Sequence, residues 1–278
     1  MSDLIAVTGA TGGLGGRIAR RLAQAGVRQR LVVRDPSRAP HLDGAEITQA
    51  PYEDPSAFAA ALDGAGVLML ISATENPDRV ALHTAAVDAA VAAGVPRIVY
   101  TSFLGAGPEC TFTFGRDHWH TERHIEETGV GFTFLRDSLY LDFLENMIGD
   151  DGVIRGPAGD GRFAPVARDD VAAVAATILQ DPADHQGVTY DLTGPDLLTM
   201  TDVARILSSA RGSSVAFENE SLEEAYASRE RYGAPEWAVA GWVTSYAAVG
   251  AGELDVVTDH VEKVTGHPPL SLAQVLRA

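Results

Sequence analysis

The chain has 278 residues, 46% of them hydrophobic, enough for a substantial core without disulfide or metal staples. Its one cysteine, Cys110, cannot form an internal disulfide, no Cys/His cluster has zinc-ligand spacing, and the opening Met-Ser-Asp runs straight into an apolar strand without the basic and apolar regions of an export signal. A formal charge of −17 disfavours nucleic acid, whose phosphates recruit Lys and Arg, and apolar runs such as Val67 to Ile71 fall far short of the ~20 residues of a membrane helix, so a soluble cytoplasmic protein is expected.

Leu4 to Thr8 reads as the first strand. Leu14, Ile18 and Leu22 then recur every four residues, a helical stripe that Ala25-Gly26 closes. Arg30 to Val33 is the second strand and Glu46 to Gln49 a weaker third; a helix runs from near Pro55 to Asp63-Gly64, and Gly66 to Ile71 is the fourth strand. A helix from about Arg79 to Ala93 stops at Gly94, Arg97 to Thr101 is the fifth strand, Asp117 to Thr128 the next helix, and Gly131 to Leu135 the sixth strand. Strands alternating with helices at this spacing predict a doubly wound, parallel α/β sheet of the Rossmann type. After Gly152 come Gly/Pro-rich loops, a helix near Asp169-Asp170, a strand from Thr189 to Leu192, and a smaller, mostly helical C-terminal lobe. The domains expected are 1–152 for the dinucleotide sheet and 153–278 for the lobe, with part of 165–195 returning to the sheet.

Thr8-Gly9-Ala10-Thr11-Gly12-Gly13-Leu14-Gly15 joins the first strand to the first helix. Gly9 permits the tight turn, Gly12 lets backbone approach a pyrophosphate, and Gly15 lets the helix lie close to the sheet, while the helix N-terminus faces the phosphates. At the end of the second strand, a carboxylate would select the ribose of NAD and an Arg the 2′-phosphate of NADP. Here stand Arg34, Asp35, Pro36, Ser37 and Arg38. Arg34 and Arg38 with a donor hydroxyl on Ser37 favour NADP(H); Asp35 is either a turn residue before Pro36 or a ribose ligand for NAD(H), the second choice.

These segments, with Leu70-Ile71-Ser72, Tyr100-Thr101-Ser102, Asp117-His118, Thr121-Glu122, Leu135-Arg136, Tyr140, Ala158-Gly159-Asp160-Gly161 and Gly266-His267-Pro268, resemble the NmrA-like branch of atypical short-chain dehydrogenases, and within it bacterial NADPH:quinone oxidoreductases. The resemblance implies a nicotinamide cofactor with Gly9, Thr11, Gly12 and Leu14 around the pyrophosphate and Arg34 and Arg38 at the 2′-phosphate; Gly13, Gly15 and Ser37 are grouped with these cofactor-binding residues. It implies further that Ile71, Ser72, Ala73, Thr101 and Ser102 line the ribose and nicotinamide. The sequence departs from relatives twice. Ala50-Pro51-Tyr52-Glu53-Asp54 stands where many carry an acidic adenine ligand, leaving backbone, Glu53 or Asp54 for that contact. Trp119 and Arg123 stand where classical members have their catalytic Tyr and Lys; Arg123 cannot serve as a base and is grouped with the cofactor-binding residues.

The expected function is NADPH-dependent hydride transfer to a quinone or similar electrophilic carbonyl; the alternative is a non-catalytic NADP(H) sensor that binds a partner protein. His118, which Glu122 one turn away could orient, is the first candidate acid, with Tyr140 and Ser102 as further catalytic candidates. Phe103, Phe112 and Phe114 are either a wall for a flat substrate or core. His83, His124, His185 and His267 are read as structural. No metal is expected. Ala234 to Ala251, with Trp237 and Trp242, is read as core packing, with a cover over the cleft or contact with a second copy in a homo-oligomer as alternatives.

Overall fold

The computed structural model describes residues 4–277, so the Met1-Ser2-Asp3 start on which the export reading rests lies outside them. In chain order the elements are β1 (Ile5–Thr8), α1 (Gly13–Gln24), β2 (Gln29–Val33), β3 (Ala45–Gln49), α2 (Pro55–Ala61), β4 (Val67–Leu70), α3 (Arg79–Ala92), β5 (Arg97–Phe103), α4 (Thr113–Thr128) and β6 (Gly131–Asp137). There follow β7 (Val153–Gly156), α5 (Arg168–Gln180), β8 (Val188–Leu192), α6 (Met200–Arg211), β9 (Ala216–Asn219), α7 (Leu222–Arg229), α8 (Glu236–Gly250), α9 (His260–Thr265) and α10 (Leu272–Val275). Among the described residues no helix is long and apolar enough to cross a membrane.

Seven strands make one sheet in the order β3-β2-β1-β4-β5-β6-β8, the strand read at Thr189 to Leu192 joining the six others. The ladders of β1 with β2 and β4, of β2 with β3 and of β4 with β5 are parallel. Every residue of β1 and β4 is buried, as a parallel sheet covered on both faces requires. The order reverses between β1 and β4, and it is outside the carboxyl ends of strands at such a reversal that doubly wound sheets bind ligands. On α1 the stripe Leu14, Ile18 and Leu22 is buried, and this helix lies against α5.

The chain forms two compact units, and neither is one contiguous stretch. The first takes the residues up to Ser102, His118–Arg136 and Arg168–Tyr190; the second takes Phe103–Asp117, Asp137–Ala167 and the chain from Asp191 onward. Beside the expected division at 152, with part of 165–195 returning to the sheet, the second unit also takes 103–117 and 137–152. The core of the first unit gathers Leu68, Leu70, Ile98, Tyr100, Phe58 and Phe134. That of the second gathers Ile154, Phe163, Leu207 and Val249.

The second unit also contains a parallel pair, β7 with β9, registered Val153 to Ala216 through Gly156 to Asn219. Neither strand is legible locally: each has four residues, and β9 has no buried one. Gly156 is required there, since a Cβ on it would lie 2.4 Å from the Tyr246 ring.

Candidate functional site

The loop after β1 has the geometry of an anion cradle. Gly9 turns the chain at φ 62°, a left-handed conformation that disfavours any side chain, and Gly12 N–H donates to Gly9 O at 2.9 Å. A Cβ on Gly15 would lie 2.3 Å from that same carbonyl oxygen, so only glycine lets the helix start so close to the turn. Gly12 has no capping side chain, and the N–H groups of Gly13, Leu14 and Gly15 find no acceptor among the described residues. The first turn of α1 has no acidic residue. Two cations flank this opening: Arg17 Nη1 donates to Gly13 O at 2.7 Å, and Arg168 Nη1 would be 3.5 Å from a Cβ on Gly13. The sequence reading missed both. Arg17 was visible as the residue one turn beyond Gly13, whereas Arg168 arrives only through the packing of α5 on α1. Unsatisfied backbone donors beside guanidinium groups fit a pyrophosphate.

At the end of β4, three successive backbone N–H groups are held by side chains from three elements. Ile71 N–H donates to Thr8 Oγ1 at 2.8 Å, Ser72 N–H to Thr101 Oγ1 at 2.8 Å, and Ala73 N–H to His83 Nε2 at 2.8 Å. Tyr52 Oη donates to Ile71 O at 2.8 Å, and Arg79 Nε to Ala73 O at 2.9 Å. Ile71, Ser72 and Ala73 thus form a braced, half-exposed ledge. Thr101 acts on it from within, buried to 2% exposure. His83, read from the sequence as structural, is one of the three brackets. Tyr52, in the stretch that departs from the adenine pattern, is another missed residue: its hydroxyl also lies 2.7 Å from Thr8 Oγ1. Asp54 caps α2 through Ala57 N–H at 3.0 Å, and so has a structural use of its own.

The expected acid His118 lies in a buried network instead. Arg79 donates to its Nε2 at 3.0 Å, which leaves the ring proton on Nδ1, 2.9 Å from Tyr100 Oη. Burial first, and the adjacent Arg79 guanidinium second, pull its pKa well below the ordinary histidine value. A neutral imidazole with its acceptor nitrogen occupied has no proton to lend at neutral pH. Glu122 does not orient it; that carboxylate accepts Ser102 Oγ at 2.6 Å and both ends of the Arg136 fork at 2.9 and 2.6 Å. Ser102, 3% exposed, spends its hydroxyl proton on Glu122 and so ties β5 to α4. Arg123 is exposed and pairs with Glu126 one turn on at 2.5 Å.

Beyond β2, Asp35 accepts Ser37 N–H at 3.0 Å and Ser37 Oγ at 2.6 Å, capping the short 3-10 turn Pro36–Arg38. Asp35 is the turn residue, and Ser37 directs its hydroxyl to it rather than outward. Arg34 and Arg38 are exposed and form no ion pair among the described residues, in a chain whose acidic excess pairs many of its other arginines.

In the second unit, Tyr140 donates its hydroxyl to Asp137 Oδ2 at 2.7 Å, so the proton expected for a substrate goes to a carboxyl group. Asp137, the last residue of β6, is 2% exposed. The sequence reading passed over it; the signal available was an Asp at a strand end three residues before a Tyr. Phe103, Phe112, Phe114 and Trp237 form a half-buried aromatic ladder with centroid separations of 4.7, 5.6 and 6.2 Å.

A model of the NmrA-like family matches residues 1–237 of this chain. The sequence is 34% identical over 281 residues to quinone oxidoreductase 2 of Escherichia coli strain K12, covering 98% of this chain and 96% of that protein. It is 30% identical over 280 residues to an NAD(P)H azoreductase of Xenophilus azovorans, covering 99% and 97%. The fold superposes with a TM-score of 0.89 and 32% identity on the crystal structure of an NADPH-dependent quinone oxidoreductase from Escherichia coli complexed with NADPH, with 98% of each chain covered.

Proposed function

Since this chain belongs to the NmrA-like family, we propose that it is an NADPH-dependent reductase delivering a hydride to a quinone or a similarly flat, electron-poor acceptor. The observation that carries the reading is the glycine cradle, whose N–H groups find no acceptor among the described residues, together with two arginines beyond β2 that form no ion pair among them. Gly12 to Gly15 would hold the pyrophosphate, Arg17 and Arg168 would add charge there, Arg34 and Arg38 would bind the 2′-phosphate, and the ledge Ile71-Ser72-Ala73 would support the ribose and nicotinamide.

A reduced nicotinamide supplies the hydride; the protein supplies orientation and electrostatics. The braced ledge keeps its backbone in one conformation because its N–H groups already have partners, so little ordering remains for the moment of binding. The aromatic ladder of the second unit offers flat apolar surface suited to a conjugated ring acceptor.

The test mixes purified protein with NADPH and a panel of benzoquinones, naphthoquinones and an azo dye, following absorbance of the reduced nicotinamide. Turnover that vanishes in Gly12→Val supports the reductase. A second reading, a dinucleotide sensor acting on a partner protein, is favoured by Trp119 and Arg123 in place of the classical Tyr and Lys. Tight NADPH binding without turnover on every acceptor would select it.

A further inference from the structure

Asp137 ends β6 at the carboxyl edge of the sheet, where ligands of this architecture bind. Its side chain is buried, yet only half of it is satisfied: Oδ2 accepts Tyr140 at 2.7 Å, while Oδ1 has no hydrogen-bond partner among the described residues. The next residue, Ser138, also buries its hydroxyl without a partner among the described residues. A buried carboxylate with a bare oxygen is costly, and a native fold rarely keeps one without a use for it. The backbone contact on Asp137, the Leu104 N–H on its carbonyl at 2.9 Å, brings no charge. Tyr140 is the titratable group touching it.

We propose that the Asp137 carboxyl group is the proton donor to the acceptor during reduction, held neutral with its O–H on Oδ1, and that Tyr140 positions it. Burial pushes its pKa up to about 8 against the opposing hydrogen bond from Tyr140, so the acid form prevails at neutral pH. This rests on the reductase reading above. An acceptor that takes a hydride gains two electrons and one proton and becomes an oxyanion. That oxygen takes the proton from Asp137 Oδ1: the carboxyl O–H bond breaks, the hydroquinone O–H bond forms, and the resulting carboxylate keeps the Tyr140 hydrogen bond until a proton returns from solvent. The arrangement replaces the Tyr and Lys that this chain lacks at Trp119 and Arg123.

The experiment is infrared spectroscopy of the nucleotide-free protein, with 1,4-naphthoquinone as the probe. At neutral pH, the wild type shows a protonated carboxylic acid band that is absent in Asp137→Asn, fades in mild alkali, and shifts when 1,4-naphthoquinone is added. In Tyr140→Phe the band persists to higher pH, because the hydrogen bond that favoured the carboxylate is gone. In turnover with NADPH, Asp137→Asn binds NADPH as the wild type does and loses kcat by about a hundredfold or more, together with the alkaline fall of the wild-type profile. A carboxyl group ionised at neutral pH, or a band indifferent to the quinone, overturns the assignment. If the band shifts with quinone yet wild-type protein reduces none, the reductase reading fails while the donor geometry at Asp137 stands.

Discussion

His83 Nε2 accepts the backbone N–H of Ala73 at 2.8 Å, tying a fully buried ring on α3 to the ledge beyond β4. The bond fixes the tautomer, since the proton must then sit on Nδ1, 2.9 Å from Thr121 Oγ1. A single side chain thereby couples the helix, the ledge and α4.

Replacing His83 with Ala removes the acceptor of the Ala73 N–H and the ring bonded to the Thr121 hydroxyl, and leaves a cavity. The expected loss is about 2–4 kcal/mol, read as a lower urea midpoint at unchanged slope. An effect within experimental error would show that the bracket does not contribute to folding.

Acid should expose the same network. Burial, reinforced by Arg79, pulls the His83 pKa down to about 3, and the His118 pKa is depressed in the same direction by the same causes. The unfolded chain binds these protons below its ordinary histidine value while the folded one does not, so their stability contribution is complete above that value and is lost as pH falls toward about 3. For His83 the loss is on the order of 4 kcal/mol. Stability should drop between neutral pH and mild acid, and His83→Gln should reduce the slope by about one proton. An unchanged slope would remove His83 as the source.

The loop glycines should separate folding from binding. A Cβ on Gly15 meets Gly9 O at 2.3 Å, backbone against backbone, whereas one on Gly12 stands 3.3 Å from it. Gly15→Ala is expected to cost about 3 kcal/mol or more, because neither atom can swing aside. Gly12→Ala should lose less than about 1 kcal/mol of stability but bind NADPH far more weakly, as calorimetry would show. Equal stability loss in both would mean the close approach is not what constrains Gly15.

Arg34→Ala should weaken NADPH by roughly 1.5–3 kcal/mol, about tenfold to a hundredfold or somewhat more, with NADH almost unchanged. Arg38→Ala should act in the same sense. Parallel loss for both dinucleotides would place these arginines elsewhere than the 2′-phosphate.

Ser102→Ala should leave kcat within about threefold, as removal of a buried anchor rather than a proton donor, with a stability loss near 1 kcal/mol. Glu122→Ala, which removes the acceptor shared by Ser102 and Arg136, should cost about 3–5 kcal/mol. A loss of turnover of about a hundredfold in Ser102→Ala would return that hydroxyl to the chemistry.

What could be read from the residues was whatever depends on neighbours in the chain. The glycine cradle follows from residues 9 to 15, where each glycine answers a local steric demand, and the alternation of β-branched runs with amphipathic helices specifies the sheet. Arg34 and Arg38 were legible because they lie within one turn of the second strand's end. The same reasoning misjudged His118 and Ser102. Helical spacing places His118 and Glu122 on one face, but which partner each reaches depends on the neighbouring α3 and β6, where Arg79 takes the one and Arg136 the other.

By itself, then, the sequence determined the architecture, the glycine turn after the first strand and the two arginines beyond the second, since their constraints act across a few residues. Only the folded chain decided which polar groups are neutral and which are satisfied. Asp137, His83 and Tyr52 acquire their states from desolvation and from partners distant in sequence, and neither leaves a mark in local spacing.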